Sequence, residues 1–127
     1  MSIPTQKYRA LAEKLYASTS DESLRWQIDP FSDELCTSLG RYKVIITDGE
    51  DAEGSPYVRI AIKNASGEEV DWFTDNSIGS ATPSLEGVSS YWVLLRDLKT
   101  MAYRNAKGAD KALDEILGQL DSDHAPF

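Results

Sequence analysis

Residues 41–47, 57–63 and 68–73 alternate apolar and polar side chains with the period of two expected of half-buried strands. Tyr42, Val44 and Ile46 share one face of the first segment, and Val58, Ile60 and Ile62 share one face of the second. In the third, Val70 and Trp72 are assigned inward. Asn64, Ala65, Ser66 and Gly67 form a hairpin connection, because glycine adopts the positive φ that closes such a loop. The acidic stretch 48–56 is longer and still compatible with a hairpin. Upstream, Leu24, Trp26 and Ile28 alternate with Ser23, Arg25 and Gln27, and Pro30 ends that strand because it donates no ladder hydrogen bond. Residues 34–39 extend the pairing with Leu35 and Cys36 inward, and Gly40 turns the chain.

The period lengthens at both ends of the chain. Tyr8, Leu11, Ala12, Leu15 and Tyr16 recur at helical spacing over residues 5–17, with Thr5 as the expected cap. Tyr91, Leu94, Leu95, Leu98, Met101 and Ala102 make a second stripe over residues 90–106, with Gly108 as its stop. Asp110 is the expected cap of a third helix, whose buried side is Leu113, Ile116, Leu117 and Leu120. Residues 75–89, rich in Ser, Gly, Thr and Pro, read as a long loop. Residues 1–4 and 121–127 read as flexible ends. The order predicts one α+β domain over residues 1–127. An antiparallel meander of about four strands is packed on one face by the N-terminal helix and a C-terminal helix pair.

Composition narrows the function classes. The chain has 127 residues, 21 acidic against 13 Lys and Arg, and a net charge of −8. That sign repels phosphate backbones, so no nucleic-acid partner is expected. No apolar run reaches membrane-spanning length, so no membrane partner is expected either. The start of the chain lacks a secretory pattern, and the single Cys36 permits no internal disulfide. Both features favour a cytoplasmic location.

The inventory for catalysis is thin. His124 is the only histidine, in the weakly patterned C-terminal stretch, and no glycine-rich phosphate loop or zinc spacing is present. Asp48, Glu50, Asp51 and Glu53 form the densest acidic run, but without the ligand order of a calcium loop. No enzyme activity, cofactor or metal is expected.

The wet face of the sheet is the candidate site. Strand parity places Arg41, Lys43, Tyr57, Arg59 and Lys63 outward, an unexpected density of cations on so acidic a chain. They could receive an acidic or phosphate-bearing partner. Equally, Arg59 and Lys63 could pair across the ladder with Glu69 and Asp71. Trp92 lies about one hundred degrees off its helical stripe, at a core edge or in an interface. The expected function is therefore a small acidic protein acting by protein–protein interaction, such as an inhibitor or immunity-type protein. Its partner is another protein or a second copy in a homodimer. The alternative is a small-molecule or anionic-ligand binding domain using the exposed sheet face.

Overall fold

The computed structural model describes residues 4–79 and 81–124. In chain order the elements are α1 (Thr5–Ser20), β1 (Gln27–Ile28), β2 (Leu35–Leu39), β3 (Tyr42–Glu50), β4 (Pro56–Lys63), β5 (Glu69–Thr74), α2 (Asp75–Ile78), α3 (Tyr91–Lys107) and α4 (Ala109–His124). The fold is α+β. Its sheet has five strands in the order β1-β2-β3-β4-β5, all neighbours antiparallel. The fifth strand arises because Asp29 and Pro30 interrupt the pattern without ending the sheet. The chain reverses there, and the Asp29 carboxylate accepts the amides of Phe31 and Ser32.

Pro4, not Thr5, occupies the position before α1 and makes no side-chain cap hydrogen bond there. The inner face of the sheet presents Leu35, Val44, Ile46, Val58, Ile60 and Phe73 to Ala12 and Leu15 of α1 and to Leu94, Leu95 and Leu98 of α3. Each of these large apolar side chains contributes roughly 1.5–3 kcal/mol when fully buried, so this layer dominates the stability. Trp26 is buried as expected, its indole N–H donating to Thr19 Oγ1 at 2.9 Å and its backbone N–H to Asn105 Oδ1 at 2.7 Å.

Strand β5 departs from the simple alternation. Ile62 pairs with Asp71 and Lys63 with Glu69, which leaves Val70 as an extra residue in a bulge. The bulge reverses the assignment made from the pattern. Phe73 is buried and stacks on Tyr8 with ring centroids 4.7 Å apart, whereas Val70 and Trp72 are exposed. Asp71 turns inward as well, where the Tyr8 hydroxyl donates to its Oδ1 at 2.7 Å. Adjacent Trp72 and Phe73 offered two parities, and the one that gives Asp71 a partner prevails.

The stretch expected to be a loop opens with a helical turn. Thr74 accepts the Ser77 amide, the Ser77 hydroxyl accepts the Thr74 amide, and this reciprocal cap sets α2. Asp75, buried, then accepts the Val58 amide at 2.9 Å and fixes α2 to β4.

The largest correction concerns α4. The helix forms, beginning at Ala109 directly after the left-handed Gly108 (φ 69°), with Asp110 inside its first turn instead of ahead of it. Its apolar side is not buried. Every residue from Lys111 to Asp121 is exposed, so α1 and α3 cover the sheet without α4. The helix continues to His124, beyond the point where a flexible end was expected. Residues 1–3 and 125–127 of those expected ends lie outside the described residues. No helix among the described residues is long and apolar enough to cross a membrane.

Candidate functional site

The outer face of the sheet is less wet than alternation implies. Cys36, Ile45 and Ala61 lie side by side across β2, β3 and β4, all buried, in a row apart from the main core. Cys36 thus faces outward, opposite to its assignment, and burial pushes its thiol pKa up. A buried thiol of raised pKa is the reverse of an activated nucleophile.

The cations around this row have acidic neighbours. Arg59 donates to Glu69 Oε2 at 2.8 Å, and its guanidinium lies 4.9 Å from the centre of the Trp72 ring. That bond holds the Glu69 carboxyl below its ordinary pKa. The Trp72 ring, turned outward by the bulge, is partly covered by this cation–π contact. Lys43 sits 3.8 Å from Asp29, whose pKa is lowered chiefly by the Phe31 amide and only secondarily by that lysine. Lys43 and Lys63 oppose each other directly in the ladder, and Lys63 opposes Glu69 on its other side. The order across this part of the sheet is therefore acid, base, base, acid, from Asp29 through the two facing lysines to Glu69. Asp71 takes no part, since it points to Tyr8.

The six candidate residues do not converge. Arg41, Lys43 and Lys63 line a depression of about 210 Å³ beside the Gly40 and Gly67 turns. That is smaller than the roughly 300–1,000 Å³ of ordinary ligand pockets. Tyr57 and Arg59 border a second depression with Trp72 and Asn76, about 340 Å³, where the Arg59 head is already engaged by Glu69 and Trp72. Trp92 is elsewhere, half-buried at the edge of the main core with the Arg96 guanidinium 5.9 Å from its ring centre. It lines a third cleft together with Tyr57, which thus borders two depressions, and with Asp48 and Lys99, which are bridged at 3.3 Å. Its departure from the helical stripe reflects a core edge and not an exposed anchor.

The acidic run is a structured hairpin end. Asp51 Oδ1 accepts the amides of Glu53 and Ser55, both at 2.9 Å, so this carboxylate serves the turn. Among the described residues no three His, Cys, Asp or Glu side chains are grouped to hold a metal ion.

Apart from Tyr42, Val70 and Trp72, the exposed apolar side chains that the pattern had assigned to the core lie on α4. Leu113, Ile116, Leu117 and Leu120 are between 49 and 57% exposed. Spacings of three, four and seven put them on one side of the helix. The signal was present as a stripe, but periodicity does not say whether the same chain covers it. The chain matches no protein-family model, no curated protein and no solved structure to which it was compared.

Proposed function

We propose that this chain is a noncatalytic protein that acts by binding another protein chain through the apolar side of α4. The observation that carries the reading is the exposure of Leu113, Ile116, Leu117 and Leu120 together, on a helix whose other residues from Lys111 to Asp121 are exposed too. A helix of 16 residues is marginal in water without tertiary contacts. Four large apolar side chains on one such stripe form the kind of anchor that amphipathic helices offer to a protein groove. The chemistry elsewhere agrees: the cysteine is buried with a raised pKa, and the sheet cations at positions 43 and 59 have acidic neighbours. The acidic balance disfavours a nucleic-acid partner. The single Cys36, free and buried, fits a reducing compartment, and the cytoplasm is the location we assign.

Site-specific photo-crosslinking in cells producing the full chain tests this reading. A crosslinker at Leu113 or Leu117 is expected to give a discrete adduct with a protein chain. One at Lys111 or Gly118, on the opposite side of α4, is expected to give none. Absence of adducts at all four positions, or equal adducts on both sides, rules the reading out.

A further inference from the structure

Strand parity carries the inner face of β3 past the end of the core. Beyond Val44 and Ile46 the same face presents Asp48 and Glu50, which pair in the ladder with Val58 and Pro56 of β4. Over this end stands one side of α3, where Trp92, Arg96 and Lys99 recur at spacings of four and three. Between the two walls lies the third cleft, of about 350 Å³, inside the ordinary range for ligand pockets. Pro56, Val58 and the Trp92 ring supply its apolar lining.

The charges on the walls are opposite in sign and balanced in number. Helix α3 contributes Arg96 and Lys99, and the hairpin contributes Asp48 and Glu50. Asp48 and Lys99 bridge the walls at 3.3 Å. Glu50 enters no ion pair among the described residues, and Arg96 meets only the carboxylate of its chain neighbour Asp97, at 3.9 Å. That separation is beyond a hydrogen bond. The cleft therefore holds one carboxylate and one guanidinium, on facing walls, that do not pair with each other.

We propose that this cleft binds a small zwitterion of the α-amino-acid class with an apolar side chain, its ammonium held by Glu50 and its carboxylate by Arg96. The site shares no residue with α4, so it stands or falls apart from the reading of that helix. The charge balance selects the ligand. A simple anion would meet the Glu50 carboxylate and a simple cation the Arg96 guanidinium, while an uncharged molecule would cover both groups and satisfy neither. An α-amino acid carries its ammonium and carboxylate one carbon apart and answers the two together. Its carboxylate suits the planar guanidinium, which offers two parallel N–H donors. That guanidinium rests 5.9 Å from the centre of the Trp92 ring, a contact that steadies it above the apolar lining. Glu50 and Arg96 are both exposed, so the complex is weak, with a Kd of about 1 mM.

Titration of the isotope-labelled full chain with L-phenylalanine and with L-leucine, followed by two-dimensional NMR, tests the inference. Saturable shifts are expected at the Trp92 indole N–H and at the backbone amides of residues 48–58 and 92–100. N-acetyl-L-phenylalanine lacks the ammonium and L-phenylalaninamide lacks the carboxylate, so each should bind about tenfold more weakly. Glu50→Gln and Arg96→Gln should each weaken L-phenylalanine binding by a similar factor while leaving the rest of the spectrum unchanged. Absence of saturable shifts with both amino acids up to about 10 mM, where a Kd of about 1 mM would be visible, overturns the inference. So does equal binding of the acetylated or amidated form, or binding that survives both Glu50→Gln and Arg96→Gln.

Discussion

Helices α3 and α4 carry nearly the same apolar spacing and meet opposite fates. On α3, Tyr91, Leu94, Leu95, Leu98 and Ala102 are 3% exposed or less, whereas the α4 stripe is about half exposed throughout. The cause is the finite area of one sheet face. The inner sides of β2 to β5 are occupied by α1 and α3, with Tyr8 stacked on Phe73 and the α3 leucines on the central strands. Ser90 caps the start of α3 by accepting the Val93 amide, and left-handed Gly108 ends it and directs α4 away. Helical periodicity reports that a face needs cover. It does not report which chain supplies it.

The contrast is broken most forcefully by truncating one leucine on each helix. Leu98→Ala leaves a cavity under α3 and should cost about 3 kcal/mol in urea unfolding. Leu117→Ala, measured on the dilute chain, should change stability by less than about 0.5 kcal/mol. Equal losses would mean that the two helices are buried alike.

The elbow between them comes next. Gly108→Ala places a Cβ at φ 69°, a conformation that costs an L-residue about 1 kcal/mol or more. Nothing lies within 4 Å of the added carbon, so the loss should come from the backbone alone. Gly108→Asn, which tolerates that conformation better, should recover part of it in the same unfolding assay.

A smaller effect probes how α1 holds the face that α4 does not reach. Tyr8→Phe keeps the stack on Phe73 but removes the donor to Asp71, for a loss of about 1 kcal/mol. The hydrogen bond to Asp71 raises the Tyr8 pKa above its ordinary value, with burial adding to the shift. A raised pKa stabilises the fold fully below the unfolded tyrosine value, near 10, and that contribution is lost as pH rises through the higher folded value. The gap between wild type and Tyr8→Phe should therefore stay constant through neutral and mildly alkaline pH and close above it. A gap that stayed constant through strongly alkaline pH would contradict the assignment.

Much of the fold was legible in the residues. The β3–β4 and β4–β5 hairpins, the buried side of α1 and the α3 stripe follow from period, turn chemistry and caps, and Gly67 takes its positive φ of 84° as the hairpin requires. Where reading failed, two answers had similar local patterns. Trp72 and Phe73 are adjacent and both suit a core, and only the bulge at Val70 with the Tyr8–Asp71 bond decides between them. Helix α2 was hidden in a polar stretch, although Thr74 followed three residues later by Ser77 was a usable cap signal. The candidate sheet residues were placed outward correctly on β3 and β4. Sequence distance concealed that Lys43 lies beside Asp29 and that Trp92 closes a core edge. The exposed α4 side was legible as a stripe and misread as core, since burial within the chain and burial by a second chain leave the same pattern.

Hydrogen–deuterium exchange of the α3 and α4 amides, followed together in one dilute sample, tests the central claim most directly. The α3 amides should be protected to the level of global unfolding. The α4 amides should exchange at nearly unprotected rates in the dilute chain. Protection of α4 equal to that of α3 in the dilute chain would show that its stripe is covered from within, and would contradict the account.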